Sequence, residues 1–390
     1  MGNNEEPQDH IRPGVLSKAG LLQLIEEGVI KGTENTKKDV GPSAFDLHLT
    51  NKIWEVKGGI KGHAKHDYVK FLSADYGANL KDCHEPIILK PKSVYVIQLS
   101  ESLCLKKRPN IVGFATGKSS IGRLDVLTRL IADRSELYDT VRCYQEQDPD
   151  EIKLYVEVCP ITFGIKIKEG ISLNQMRLFV GDPTSCRIQP THLKYYGHLL
   201  LDRESNPITQ CEQLESLSVN LTPDKAISDD AVAFCAKGNP DNPEHIINLT
   251  TDDTSLNPND FWTIKSLEHN RNVSEGTLEI KPDAFYIIRS NERLHLPQDV
   301  AVYCQAMSEN LGEIRVHYAG FAHPHFGNNE KGTPLIFEVR GHNITTFLRD
   351  KEVLAKLEFY RMSEPATPDN SVYERQELKL SKYFKDWETS

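Results

Sequence analysis

Four side chains able to grip a phosphate fall within six residues, Lys118, Ser119, Ser120 and Arg123, in the stretch "GFATGKSSIGR". A hydroxyl can donate to a phosphate oxygen, and a guanidinium fork can bind two oxygens at once. The stretch is not a P-loop. That motif needs four residues between its glycines so that backbone N–H groups wrap the phosphates, and only Phe114, Ala115 and Thr116 separate Gly113 from Gly117. The next segment of chain, "IGRLDVLTRLIAD", is rich in β-branched residues and opens no clean amphipathic helix. Either the cluster holds a phosphate through side chains, or it is a solvated hairpin with serines in its turns. A second candidate is Glu157 in "KLYVEVCPITFGI", with apolar Leu154, Val156 and Val158 around it. Strand alternation puts Tyr155, Glu157 and Cys159 on one face, so the carboxylate either meets water or shuttles protons in a partly dry pocket.

The elements that would position these groups are mostly short strands. "AFDLHL", "SVYVIQL", "NIVGFA", "KLYVEV", "FGIKIK", "AFYIIRS", "VAVYCQA", "LIFEVR" and "AKLEFY" alternate or run apolar between Pro, Gly, Asn and Asp, as antiparallel β domains do. One helix is expected near the start, in "LSKAGLLQLIEEGVIKG", capped by Ser17, with Leu21, Leu24 and Ile25 on its apolar stripe and Gly28 weakening its end. "AKGNPDNPEH" and "TTDDTSLNPND" read as loops, and the charged tail after "RMSEPATPDN" is expected on the surface or folded over a neighbour. The chain also repeats itself. "LKPKSVYVIQLSESLCL" from Leu89 returns as "IKPDAFYIIRSNERLHL" from Ile280, and "LYVEV" returns as "LIFEV", aligning Glu157 with Glu338. One β domain is therefore read as duplicated, with residues 1–184 in the first copy and 185–390 in the second.

At 390 residues two domains are the natural prior, and 38% hydrophobic residues suffice for ordinary cores. No apolar run reaches the roughly 18–20 residues of a membrane span, and "MGNNEEPQDH" has no hydrophobic signal region, so a cytoplasmic protein is expected. Eight cysteines without a C-x-x-C pair fit reduced thiols. A net charge of −10 argues against a broad nucleic-acid face but leaves room for a local basic pocket.

Four stretches of the first half resemble a known family, the dCTP deaminases of the trimeric dUTPase-like fold. "GPSAFDLHLTNKIWEV" is similar to that family's early Asp-containing strand, with Asp46 at its centre. "GKSSIGRLDVLTRLIADR" resembles its R-S-S-L-x-R-L-G-L…A-x-R signature, with Ser119, Ser120, Arg123, Ala132 and Arg134 in step. "LYVEV" resembles the strand of the catalytic Glu, here Glu157, and "IKEGISLNQMRLF" the G-M-x-I-x-Q-L-x-F strand, with Gly170 and Gln175 matching. The likeness spans about residues 14–182, and the tandem arrangement resembles the two-domain bacterial members.

The resemblance implies a mainly β fold, a tandem duplication of a dUTPase-like domain of distorted β-barrel or jelly-roll type with small peripheral helices. It implies hydrolytic deamination of dCTP to dUTP and ammonia, supplying dUMP and dTTP synthesis. Glu157 would be the acid/base. Lys118, Ser119, Ser120, Arg123, Ala132, Arg134 and Gln175 would bind the nucleotide, and Asp46 would lie near the Mg²⁺–triphosphate. Mg²⁺ would arrive with the substrate, no zinc or other protein-bound metal is expected, and the assembly would be a homo-oligomer such as a trimer. Zinc deaminases carry H-x-E followed by P-C-x-x-C. Here "CHEP" at 83–86 and "HPHFG" at 323–327 reproduce neither.

The chain also departs from the family. Arg134 is followed by "SELYDTVRCYQEQDPDE" in place of the family's pocket-shaping turn, whereas "GFAHPHFG" keeps that turn in the second copy, with His323 where a dUTPase has its catalytic Asp. "SENLGE" aligns with "KSSIGR", so Glu309 and Glu313 replace Ser119 and Arg123. The second copy is accordingly expected to complete the pocket as a scaffold, with Glu338 dispensable. A dUTP pyrophosphatase, a bifunctional deaminase–pyrophosphatase and a non-catalytic nucleotide sensor are the alternatives.

Overall fold

The computed structural model describes residues 12–75, 79–143, 149–210, 213–238, 245–251, 256–268, 276–306, 314–316, 320–368 and 376–387. Two large curled sheets dominate it, and helices are short, so the fold is mainly β. In the first sheet the strands run in the order Val126–Ala132, Ile152–Pro160, Val94–Leu103, Phe45–Val56, Ser172–Val180, Ile111–Gly117, Thr140–Arg142. The second runs Trp262–Lys265, Ala233–Ala236, Phe285–Leu294, Ser216–Asn220, Val353–Arg361, Val300–Ala306, Gly320–Ala322, with Thr333–Gly341 also paired to Phe285–Leu294. All nine strand segments expected from the sequence are strands. The duplication extends to single hydrogen bonds. Lys90 N donates to the Tyr95 hydroxyl at 3.1 Å, and Lys281 N donates to the Tyr286 hydroxyl at 3.0 Å.

The N-terminal helix covers Lys18–Glu26, and the Ser17 hydroxyl accepts from Gly20 N. Gly28, at φ 65°, turns the chain out of it, the left-handed conformation that glycine adopts without steric cost. Of the two expected loops, "AKGNPDNPEH" begins on the last residue of strand Ala233–Ala236 and "TTDDTSLNPND" ends inside the short helix Pro258–Phe261, capped by Asn257, so the second departs from the loop expectation. Residues 239–244 and 252–255 lie outside the described set, as do Glu309 and Glu313. The boundary expected at 184/185 falls inside the short helix Pro183–Cys186.

The two halves interlock. Ile246–Asn248 of the second half pairs in parallel with Gly164–Ile167 of the first. One apolar cluster joins Leu47, Ile97 and Val156 to Phe234, Trp262, Phe285 and the tail residues Leu378, Leu380 and Phe384. The tail thus folds back onto both halves. Arg177, fully buried on strand Ser172–Val180, donates to the carbonyls of Val302 (2.9 Å) and Ala322 (3.1 Å) and stacks on the Phe321 ring at 4.1 Å. No helix among the described residues is long and apolar enough to cross a membrane.

Candidate active site

The cluster Lys118-Ser119-Ser120-Arg123 sits where strand Ile111–Gly117 ends. Its last residues open a single helical turn, Ser119–Gly122, before the chain enters Val126–Ala132. One turn closes no anion nest, so the loop offers side chains. Lys118 is half-buried and paired with Asp46. Asp46 in turn is the register partner of Gln175 across the sheet. Ser119 is exposed. Arg123 is only 5% exposed. Its guanidinium donates to Gln376 Oε1 at 2.9 Å and to the carbonyls of Lys379 and Leu380 at 3.2 and 3.4 Å, all on the returning tail. Ser120 offers its carbonyl to the Ser381 hydroxyl at 2.6 Å.

This loop faces the second half of the chain. A cavity of about 120 Å³ is lined by Lys118, Ser119, Arg123 and Gln175 on one side. His323, Phe321, Phe337, Cys304, Glu338 and Gln376 line the other. Glu338 lies on strand Thr333–Gly341 and is 4% exposed. Burial pushes its carboxyl up to about 8; Arg123 pulls it down and Asp125 pushes it further up. A carboxyl with a pKa near neutrality can give a proton and take one back at working pH.

His323 is the other polar group of the far wall. Its Nδ1 lies 3.1 Å from the Ser43 hydroxyl, which also receives Arg177 Nη2 at 3.2 Å. Ser43 is fully buried, and the guanidinium can only donate, so the acceptor for the Ser43 proton among the described residues is His323 Nδ1. That fixes the imidazole as the Nε2–H tautomer. Burial, then the nearby Arg177 charge, drives its pKa down to about 3, so the ring stays neutral. Arg177 itself is lowered to about 9 by burial and remains a cation at neutral pH.

The remaining expected site residues lie elsewhere. Glu157 is not among the residues lining this cavity. Its Oε2 accepts from Ile60 N at 3.0 Å and from the Tyr138 hydroxyl at 2.9 Å. Segment 59–68 lies over it. A Cβ on Gly59 would stand 3.1 Å from Glu157 Oε1, and one on Gly62 would stand 2.2 Å from the Ser135 carbonyl and 3.3 Å from that of Ala132. Arg134 is held in the same place, its Nε donating to Asp67 and its N to the His66 carbonyl. The expected set therefore divides in two. Lys118, Ser119, Arg123 and Gln175 line the cavity, with Asp46 paired to Lys118 and Ser120 behind them, whereas Glu157, Ala132 and Arg134 lie together beneath segment 59–68. Glu338 and Gln376 are the cavity groups that sequence reasoning did not place there. The alignment of Glu338 with Glu157 was the available signal for the first. Among the described residues no group of three His, Cys, Asp or Glu side chains is placed to hold a metal ion.

Fold and site define a two-domain β enzyme in which one cavity is built from both copies of the repeat. The N-terminal domain model of 2'-deoxycytidine 5'-triphosphate deaminase matches residues 12–182, and the C-terminal domain model matches residues 192–384. The chain belongs to the 2'-deoxycytidine 5'-triphosphate deaminase family. Among solved structures it is similar to the 2'-deoxycytidine 5'-triphosphate deaminase of Agrobacterium tumefaciens, with a TM-score of 0.78 and 25% identity over 91% of this chain and 100% of that one. Two point mutants of the Bacillus subtilis oxalate decarboxylase reach TM-scores of only 0.11 and 0.12 at 7% and 9% identity, over 82% of this chain and 79% of theirs, and carry no weight. No curated protein sequence matches the chain.

Proposed function

We propose that this enzyme hydrolyses dCTP to dUTP and ammonia without zinc, with Glu338 as the general acid/base. The observation that carries the reading is the meeting, in one cavity, of the cationic hydroxyl-bearing loop and a buried carboxyl held near neutrality. Attack of water at C4 of cytosine requires a proton removed from water, one delivered to N3 and one to the departing ammonia. A single carboxyl that changes protonation at working pH can ferry them. Lys118, Ser119 and Arg123 hold the triphosphate, whose Mg²⁺ enters as part of the substrate. His323 presents a neutral N–H donor at the opposite wall. The cavity is smaller than the roughly 300 Å³ of ordinary ligand pockets, so a whole nucleotide enters as the tail carbonyls of Lys379 and Leu380 give way to phosphate oxygens on Arg123.

Glu338 and the loop come from one chain, so a second copy is not needed to bring them together; the homo-oligomer expected from the family is a separate property, read by light scattering. The test is ammonia release from dCTP by the parent, Glu338→Gln and Glu157→Gln, with dUTP assayed in parallel for pyrophosphate. Loss in Glu338→Gln with retention in Glu157→Gln supports the reading. The opposite pattern returns the acid/base role to Glu157, and pyrophosphate from dUTP adds a second activity.

A further inference from the structure

Two charges on the loop meet two charges on the strand. Arg123 and Asp125 are two residues apart, and so are Glu338 and Arg340, which by strand alternation share a face of Thr333–Gly341. Arg340 Nη2 donates to Asp125 Oδ2 and, at 2.8 Å, to the Thr162 hydroxyl, which itself donates to Asp125 Oδ2. Arg123 and Glu338 line the cavity beside them. We propose that Asp125 and Arg340 are positioning residues whose ion pair sets the register in which Glu338 meets the Arg123 loop. This rests on the function proposed above.

Three observations favour that role over simple stabilisation. Asp125 is fully buried, and its Oδ1 has no hydrogen-bond partner among the described residues. A buried ion pair with an unsatisfied oxygen gives little net stability compared with apolar side chains of the same volume, whereas fixing a register is the best-attested use of such pairs. Asp125 also stands at φ 58°, a left-handed conformation that most side chains avoid and that Asp and Asn tolerate best. The strained turn aims the carboxylate across the gap between the copies. Burial pushes that carboxyl's pKa up, against the opposing pull of the Arg340 fork and Thr162. The groups facing Glu338 are then Arg123 and Asp125 from the loop, Cys304 from strand Val300–Ala306 and neutral His323 from the turn.

The test uses the full chain. Asp125→Asn keeps the backbone preference and drops the charge, Arg340→Lys keeps the charge and loses the fork, and Arg340→Met loses both. Glu338 titration is read as the difference in unfolding midpoint between each protein and its Glu338→Gln counterpart from pH 5 to 8.5, alongside kcat and KM for dCTP. Asp125→Asn should move that titration acidward by about one pH unit, and the kcat limb with it. Arg340→Met should lower kcat by about tenfold or more with little change in KM, as a misplaced reacting group does, and Arg340→Lys should recover part of it. If Arg340→Met does not fold, Asp125→Asn/Arg340→Met, which leaves no unpaired charge, carries the same expectation. An unmoved titration in Asp125→Asn overturns the proposal, as does parental kcat in the methionine variants. A Glu338→Gln enzyme that stays active, while Asp125→Asn still shifts the titration of Glu338 in the chains that carry it, would remove Glu338 from catalysis while supporting the hold of Asp125 and Arg340 on it.

Discussion

Replacing Glu338 by Gln should make the protein more stable at neutral pH while disabling it. In the unfolded chain the carboxyl titrates near its ordinary value of 4.5, and in the folded cavity it titrates at about 8. Below pH 4.5 both states hold the proton, and burial carries no ionic penalty. As pH rises from 4.5 to 8 the unfolded state releases a proton that the folded state keeps, so stability is lost across that window, at about 1.4 kcal/mol per pH unit. The side chain is almost wholly buried, so solvent screening takes little from this figure. Between pH 5 and pH 7 the wild type should lose about 3 kcal/mol from this group alone. The amide of Glu338→Gln cannot ionise and has no such slope. Urea unfolding followed by tryptophan fluorescence at both pH values gives the double difference directly, with any constant effect of the amide cancelling. The kcat for ammonia release should fall by about 10²–10⁴, the usual contribution of a general acid/base. A substitution effect equal at pH 5 and pH 7 to within about 0.5 kcal/mol would refute the protonation argument, and a kcat within tenfold of wild type would refute the catalytic one.

Arg123→Ala should raise KM for dCTP about tenfold or more and change kcat less, because a charge-assisted phosphate contact remote from C4 serves mainly binding; equal KM values would reduce the loop to a surface turn. Exhaustive treatment with a zinc-selective chelator followed by Mg²⁺ should leave activity intact, and metal analysis that finds zinc tracking activity at one per chain would overturn the zinc-free mechanism. His48 is buried between Glu101 Oε1 (2.8 Å) and Asp39 Oδ2 (2.9 Å); burial pulls its pKa down, but the two carboxylates outweigh it and leave it raised. Its contribution is therefore full below its ordinary value of 6.5 and is lost as pH rises through the folded value. His48→Gln should flatten the alkaline fall of the melting temperature, and an unchanged slope would place that fall elsewhere.

How much of this was legible in the residues depends on the range of the interactions involved. The strand pattern, the Ser17 cap and the duplication are local, and each is present in the fold, because alternation and capping act over a few residues. The short helix Tyr68–Asp75 was not anticipated, since its one buried stripe, Tyr68 and Leu72, faces a cluster with Trp54 and Tyr155 that only the fold assembles. The cluster of Lys118, Ser119 and Arg123 was legible in the sequence, whereas the carboxyl it meets across the cavity was not. The expectation that Glu338 is dispensable rested on Glu309 and Glu313 of its own copy, which would face a triphosphate bound there and repel it. In the folded chain Glu338 instead faces Arg123 of the other copy, and the sign of that interaction is reversed. A duplicated sequence specifies which residues correspond, but it leaves open whether each copy completes itself or its neighbour. Here the decision is made by long-range contacts: Arg177 clamped on Val302 and Ala322, Arg340 on Asp125, and Gln376 bridging Arg123 to Pro334. Once the copies are docked that way, they need not stay alike. The loop of one and the carboxylate of the other suffice for one cavity, so the second loop is free to become acidic, and Glu157 can be covered by segment 59–68, accepting from Ile60 N there and from the Tyr138 hydroxyl beside it.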